Sequence, residues 1–467
     1  MRFRFIGVLL VYWNLVLPNS VAPANAAPPD LGDPSIQEQV RKLVQTYVDS
    51  ERVVGVSVGL ICDGKTLTVH AGKTAADGPG ADDHTVYEIG SISKVFTGVL
   101  LADAVVQGKV KLDQPMAQLL PAGSQIRQVG DKPITLRDLA THRSGLPRLA
   151  DNMVNIAGEN PYADYTSKLA LEFLQNHQPT RAPGEKMEYS NFATSLLGFL
   201  LCNQQSVSYD QLLHSRISGP LMMQETTVTE DANVLKRLAQ GHRSPGNSTS
   251  TWEFADMPGA GGIRSSIADM MRFAQANLDP PNDAIGKAIE LAWQQHQPSQ
   301  GDAFAMGLGW HLARDGQTRW HNGQTAGFHS MLMVNRNIPA AVVVLSNTAV
   351  LEIDVLGEDF MRMLAGSPVK PKQIEEQVRV PVEKMQKLEG RYQLAPTFIF
   401  DVKVNDGKLM VGVTNQPTFQ VYPKSETEWF YKVVPASLVF KADSKGDFNQ
   451  LELLQNGVRQ TAKRIAN

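Results

Sequence analysis

Residues 88–104 constrain the fold of this chain more than any other stretch. They begin Glu88-Ile89-Gly90-Ser91-Ile92-Ser93-Lys94-Val95-Phe96-Thr97, and Val99, Leu100, Leu101 and Ala104 continue an apolar series at helical spacing. A helix this apolar must pack inside the protein, yet its first turn carries a hydroxyl and an amine. Gly90 stands where a chain can turn sharply into a helix start. Ser91 and Lys94, three residues apart, share one face of that helix. The helix N-terminus offers Ser91 backbone N–H groups and partial positive charge, both suited to an oxyanion. A desolvated amine beside the hydroxyl can stay neutral and accept its proton. By itself Ser-x-x-Lys is a weak signal. Ser367-Pro368-Val369-Lys370 matches it as well, within a proline-containing stretch where it implies no chemistry.

At 467 residues the chain exceeds one small core, and two or three domains are expected. With 19% charged residues and a formal charge of −3 it has no basic field, which argues against nucleic acid as a partner. No GxxxxGK[ST] or HExxH pattern occurs and the histidines are scattered, so neither a metal nor a cofactor is expected. Residues 1–26 read as a signal peptide. Arg2 and Arg4 precede the apolar run Phe5 to Leu17, Pro18 ends it, and Ala24-Asn25-Ala26 forms a cleavage site. That run is too short for a membrane span, so the mature protein is expected to be exported, periplasmic or extracellular, without a transmembrane span. Cys62 and Cys202 are expected on different layers and unpaired.

Residues 27–365 are expected to form one domain. An amphipathic helix over 35–50 leads to two strands, Val53 to Ile61 and Leu67 to Ala71, joined at Asp63-Gly64. Gly55-Val56-Ser57-Val58-Gly59 matches the GxSxG nucleophile pattern, but that motif needs a strand-to-helix turn. Here the chain continues as strand into a hairpin, so Ser57 is expected to be a small strand residue. A mainly helical region follows over 100–250, and the chain returns to sheet after 255. Met306 to Leu312, Arg319 to Gly323, His329 to Asn335 and Ala341 to Ser346 read as antiparallel strands. Residues 366–386 suit a linker. Over 387–467, short alternating strands recur with turns at Asn405-Asp406-Gly407 and Asn456-Gly457, which predicts a separate all-β barrel or sandwich domain.

The ordered set Gly90-Ser91-Ile92-Ser93-Lys94-Val95-Phe96-Thr97, then Tyr189-Ser190-Asn191, then His321-Asn322-Gly323 resembles the class C β-lactamase group of serine hydrolases. That group includes D-aminopeptidases, penicillin-binding peptidases and esterases. Supporting stretches are Leu139 to Pro147, Gly261 to Ser266 and Gly307-Leu308-Gly309-Trp310, and the resemblance covers residues 35–350. It implies an α/β (α+β) fold, an antiparallel sheet flanked by helices with an inserted all-helical lobe and the site in the cleft between. It also implies roles. Ser91 would form an acyl-enzyme. Lys94 and Tyr189 would share proton handling, both drawn toward neutrality near pH 7, with Tyr189 activating the deacylating water. Asn191 would hold the Lys94 amine and donate to a substrate carbonyl. The N–H groups of Ser91 and Gln324, the residue after Gly323, would form the oxyanion hole.

The departure from the group is His321, which stands where β-lactamases have the lysine of Lys-Thr-Gly. A histidine of ordinary pKa, about 6.5, is mostly neutral at pH 7 and gains its charge in mild acid. A weak anion grip there shifts the expectation from β-lactam hydrolysis toward peptide, amide or ester substrates, small molecules or peptides of cell-wall origin among them. A true class C-like β-lactamase, or a penicillin-binding sensor or scaffold that acylates slowly without turnover, are the alternatives.

Overall fold

The computed structural model describes residues 27–466 except 128, 154–159, 230, 302, 368–377, 415, 417, 432, 433, 435 and 456. The expected signal peptide, Asn456 of the second turn and three residues of the second Ser-x-x-Lys match therefore lie outside the described residues. The described residues up to 367 form one compact unit and those from 378 onward a second.

The first unit starts with helix α1 (Pro34–Asp49). Asp33 caps it by accepting the Ser35 N–H, and Pro34 opens it where a missing N–H costs nothing. Strands β1 (Gly55–Cys62) and β2 (Lys65–Gly72) follow as a hairpin. Asp63 and Gly64 have φ of 47° and 76°, the pair of left-handed residues a two-residue hairpin turn requires. A short strand β3 (Val86–Glu88) leads through one 3-10 turn, Gly90–Ile92, into helix α2 (Ser93–Val106). Within α2 every residue from Ser93 to Ala104 is buried, as its all-round apolar sequence demands.

The helical lobe contains α3 (Leu136–Ala140), α4 (Ser167–Asn176) and α5 (Asn191–Gln205). Strand β4 (Arg264–Ser266) pairs with β3 and runs into α6 (Ile267–Leu278), which α7 (Ala284–Trp293) follows. Five strands complete the main sheet: β5 (Ala305–Met306), β6 (His311–Leu312), β7 (Thr318–Gln324), β8 (His329–Asn335) and β9 (Ala340–Ser346). The seven-stranded order is β2-β1-β9-β8-β7-β6-β5, so the hairpin that begins the unit is closed by its last strand. Helix α8 (Glu352–Leu364) ends the unit.

The sheet is covered on both faces, which explains why β9 is apolar at every position from Ala340 to Leu345 rather than alternating. Val343 and Leu345 share one core with Ile267, Met270 and Phe273 of α6. Val344 and Met331 project to the other face, where Gly357 of α8 packs directly on them. Ser57 is also sealed within this sheet at 0% exposure. Its hydroxyl lies 2.9 Å from His70 Nδ1 and 2.9 Å from the Tyr87 hydroxyl, and His70 Nε2 is 3.0 Å from Asp83. Serine, histidine and aspartate do line up here, but no substrate can reach a side chain with no exposed surface.

One expected strand is corrected. Met306 to Leu312 is two short strands joined by a turn, because Gly309 adopts φ 75° and its neighbourhood presses against the backbone of α2. A Cβ on Gly309 would lie 2.3 Å from the Lys94 carbonyl oxygen. Cys62 on β1 and Cys202 on α5 are both free.

The second unit is a closed barrel of eight strands, β10 (Gly390–Ala395), β11 (Phe398–Asn405), β12 (Lys408–Val413), β13 (Phe419–Pro423), β14 (Glu428–Tyr431), β15 (Ala436–Ala442), β16 (Phe448–Gln455) and β17 (Val458–Ile465). Closure removes every sheet edge. Tyr392, Phe400, Leu438, Phe440 and Leu451 fill its interior, and Val380 and Met385, from the stretch expected as linker, pack into that same core. Each unit thus owns a hydrophobic core. A chain ending at residue 367 is expected to melt in one cooperative transition and to keep its near-ultraviolet circular dichroism. A truncation that is insoluble or melts without cooperativity contradicts this.

Candidate active site

The 3-10 turn places Ser91 half-buried, immediately before a fully buried helix. One helical turn on, Lys94 is 1% exposed, with Nζ 2.9 Å from Ser91 Oγ and 2.6 Å from the Ala260 carbonyl oxygen, to which it donates. Ala260 belongs to the tight turn Pro258–Ala260, which Gly259 lets approach Thr97 and Thr194 closely. Burial, with help from the Arg148 guanidinium, holds the Lys94 amine well below the ordinary lysine range. A lysine without a carboxylate partner in such a place is shifted toward the neutral amine, whose lone pair lies beside the serine hydroxyl.

Tyr189 precedes Ser190, the cap of α5, whose hydroxyl accepts the Ala193 N–H and donates to the Pro147 carbonyl. His142, held at φ 58°, receives the Ser190 N–H on Nδ1, and its carbonyl accepts the Glu188 N–H. The segment after α3 therefore sets the height of Tyr189. The tyrosine hydroxyl is within reach of Ser91, and Lys94 Nζ lies 4.9 Å from the ring centroid. Part of Tyr189 remains open to solvent, but packed atoms enclose its hydroxyl, and this burial pushes the phenol up to about 12. The expectation that Tyr189 is drawn down toward neutral pH is thus corrected. Desolvation outweighs the Ser91 hydrogen bond and the Arg148 charge, and the phenol is a proton donor at rest.

Asn191 is also corrected in part. Its Nδ2 donates to the Tyr162 hydroxyl at 2.8 Å, its Oδ1 is buried without a partner, and Ala260 rather than Asn191 holds the lysine amine. With Tyr162, Phe254 and Met257 it lines a small cavity of about 20 Å³.

Strand β7 brings His321, Gly323 and Gln324 to the same place. Gly323 is pressed against the chain just before the nucleophile, since a Cβ on it would lie 2.0 Å from the Ile89 carbonyl oxygen. Conversely a Cβ on Gly90, whose φ is 49°, would lie 2.7 Å from the Gln324 nitrogen. Ser330 on β8 locks the contact by donating to Ile89 O at 2.8 Å. From behind, Asp354 of α8 accepts from Asn322 Nδ2 at 2.8 Å and from His329 Nε2 at 2.7 Å.

His321 is 0% exposed, with Nδ1 2.6 Å from the Asn322 carbonyl oxygen. Only a protonated nitrogen bonds a carbonyl, so Nε2 carries a lone pair, and it has no partner. Burial first, then His311, Lys94 and His142, hold the imidazole well below its ordinary pKa. The expected protonation in mild acid is therefore corrected, because the ring has neither solvent nor a carboxylate to support charge. His142 and His311, both buried and both depressed, complete a neutral aromatic group around Tyr189, with ring centroids 4.4 Å (His142–Tyr189) and 4.9 Å (His311–His321) apart. No motif in the sequence marks these two histidines or Ala260, although each lies in or beside one of the stretches that support the family resemblance. Among the described residues no group of His, Cys, Asp or Glu is placed to hold a metal ion.

A family model described as Beta-lactamase matches residues 40–363. A Beta-lactamase of Escherichia coli (strain K12) is 30% identical over 282 residues, covering 59% of this chain and 71% of that protein. A D-alanyl-D-alanine-carboxypeptidase/endopeptidase AmpH of the same organism is 31% identical over 279 residues, covering 56% and 71%. The crystal structure of a beta-lactamase/D-alanine carboxypeptidase from Yersinia pestis complexed with citrate superposes with a TM-score of 0.60 at 24% identity, over 72% of this chain and 99% of that one, and shows the shared fold.

The glycine contact generates a prediction. Gly323→Ala forces β7 away from Ile89 and shifts the Gln324 N–H, which the family resemblance expects to be an oxyanion donor, and losing one such donor typically costs about 10²–10³-fold in kcat. Hydrolysis of an activated ester is expected to fall by that order with the far-ultraviolet spectrum unchanged. Full activity in the folded variant would show that this backbone contact is not needed.

Proposed function

The chain belongs to the beta-lactamase family and is a β-lactamase-related serine hydrolase, and on that premise we propose that it hydrolyses an amide, peptide or ester through an acyl-enzyme on Ser91. The observation that carries this reading is the buried, carbonyl-held Lys94 amine 2.9 Å from Ser91 Oγ.

As Ser91 Oγ attacks the substrate carbonyl, its proton passes to the neutral amine of Lys94. The carbonyl oxygen gathers negative charge and is received by the N–H groups of Ser91 and Gln324, worth about 3 kcal/mol apiece in such sites. Tyr189, protonated at rest, gives its proton to the leaving group as that bond breaks, and the new lysine ammonium restores it. The net result is transfer of the serine proton to the leaving group. In the second half, water attacks the acyl carbon, Lys94 takes its proton, and the proton returns to Ser91 as the acid departs. Lys94, not Tyr189, is the base in both halves, since a phenol raised to about 12 is a poor one near neutrality.

With the neutral His321 sealed at 0% exposure, this strand position supplies no cation to a substrate anion, which favours amide, peptide and ester substrates over β-lactams that need one there. A main activity as a β-lactamase fits this strand less well. We further place the protein outside the cytoplasm, on the strength of the leader-like residues 1–26. Among the described residues no helix is long and apolar enough to cross a membrane.

A fluorophosphonate probe is expected to label Ser91, with Ser91→Ala removing both labelling and turnover of p-nitrophenyl esters. Tyr189→Phe deletes one hydroxyl and is expected to lower kcat about 10²–10⁴-fold while still allowing labelling. Turnover surviving in Ser91→Ala would exclude the acyl-enzyme, and a label without turnover in the unmutated protein would make it a stoichiometric binder.

A further inference from the structure

At His321 strand β7 holds a neutral ring, but a guanidinium lies beside Tyr189. Arg148 follows the Ser144-Gly145-Leu146-Pro147 turn, is exposed, and holds its guanidinium carbon 5.1 Å from the Tyr189 ring centroid. Among the described residues its guanidinium makes no hydrogen bond and no ion pair. Its neighbours differ. Arg143 is engaged by Pro298, Gln300 and Gly184, Arg137 by Asp113 and Arg181 by Glu188. The Arg148 backbone is nevertheless fixed to the site, because its carbonyl accepts the N–H groups of Asn191 at 3.0 Å and Phe192 at 3.1 Å. The next residue, Leu149, lines the small cavity with Asn191 and Tyr162. The cation is therefore anchored on the segment that carries Asn191, the residue that the family resemblance sets against the acyl amide of a substrate and whose Nδ2 rests here on the Tyr162 hydroxyl.

We propose that Arg148 is a specificity-determining residue that receives a carboxylate carried on the acyl part of the substrate. This rests on the acyl-enzyme reading of Ser91. The planar guanidinium suits bidentate recognition of a carboxylate, and the aromatic face beneath it limits the orientations it must give up on binding. Its field also reaches Lys94, His142 and Tyr162, as a charge at the mouth of the site must. The substrate class is an acyl donor with an acidic group beyond the scissile carbonyl, such as a peptide bearing an acidic residue on that side.

The test compares p-nitrophenyl hydrogen glutarate with p-nitrophenyl methyl glutarate, which differ in one negative charge on the acyl chain. The unmutated protein is expected to prefer the anionic ester about ten- to a hundred-fold in kcat/KM, chiefly through KM. Arg148→Ala is expected to erase the preference and Arg148→Lys to keep part of it. The ratio of the two rates is the quantity read, so any change in the shared machinery cancels. The corresponding p-nitroanilides, titrated calorimetrically into Ser91→Ala, read the same preference without turnover. A preference there in a protein whose Ser91 proves inert keeps Arg148 and removes the acyl-enzyme. Equal affinity for both compounds, or a ratio unmoved by Arg148→Ala, overturns the proposal.

Discussion

Everything in the site depends on a contact between two backbones. The turn at Ile89-Gly90 and the end of β7 at Gly323-Gln324 meet with no side chain between them, and neither glycine has room for a Cβ. This closeness brings a helix N-terminus and a strand end, more than 230 residues apart in sequence, onto one small volume beside Ser91. The surrounding architecture holds it there. β8 contributes Ser330, α8 contributes Asp354, and the sheet on which α8 packs is covered on its two faces. A close-packed interior transmits small displacements, so a misplaced α8 would be felt at the nucleophile.

The second constraint is electrostatic. Folding takes an amine and three imidazoles out of water, and each would be costly to bury charged. All four are accordingly held on the neutral side, while the Tyr189 phenol is held protonated. The resting site is a set of neutral donors and acceptors in low dielectric, where charge developing during a reaction interacts strongly with its neighbours. Arg148, exposed beside the Tyr189 ring, keeps its charge in solvent. In the proposed mechanism the burial that makes Lys94 a base also leaves an anionic substrate to be met at Arg148.

Much of this was legible in the sequence. The apolar series behind Ser91 fixes a buried helix, Asp63-Gly64 fixes a hairpin turn, and the change of pattern near residue 366 separates two cores. Ser91, Lys94, Tyr189 and His321 could be read because each sits in a short motif. What stayed hidden depends on tertiary enclosure. Nothing local distinguishes a Tyr189 lowered by cations from one raised by burial, or a His321 able to titrate from one sealed at 0% exposure. The strand expected over Met306 to Leu312 failed because a glycine can serve a close approach as readily as a strand. Arg148 gave no signal at all, since an exposed arginine acquires meaning only from the ring beneath it and the absence of a partner.

The most direct test is the pH dependence of acylation itself, followed as the burst of p-nitrophenol from a neutral ester between about pH 5 and pH 10.5, the range that brackets an ordinary lysine at about 10.4. Burial holds the Lys94 amine well below the ordinary lysine range, so it loses its proton well before that range is reached. The burst rate should therefore reach its plateau well below about pH 10.4 and fall on the acid side of that plateau, as Lys94 takes up its proton. Lys94→Arg, which cannot give up its charge, should show no burst. A rate that instead climbs through the ordinary lysine range would mean that Lys94 is charged at neutral pH, and the account of Ser91 activation would be wrong.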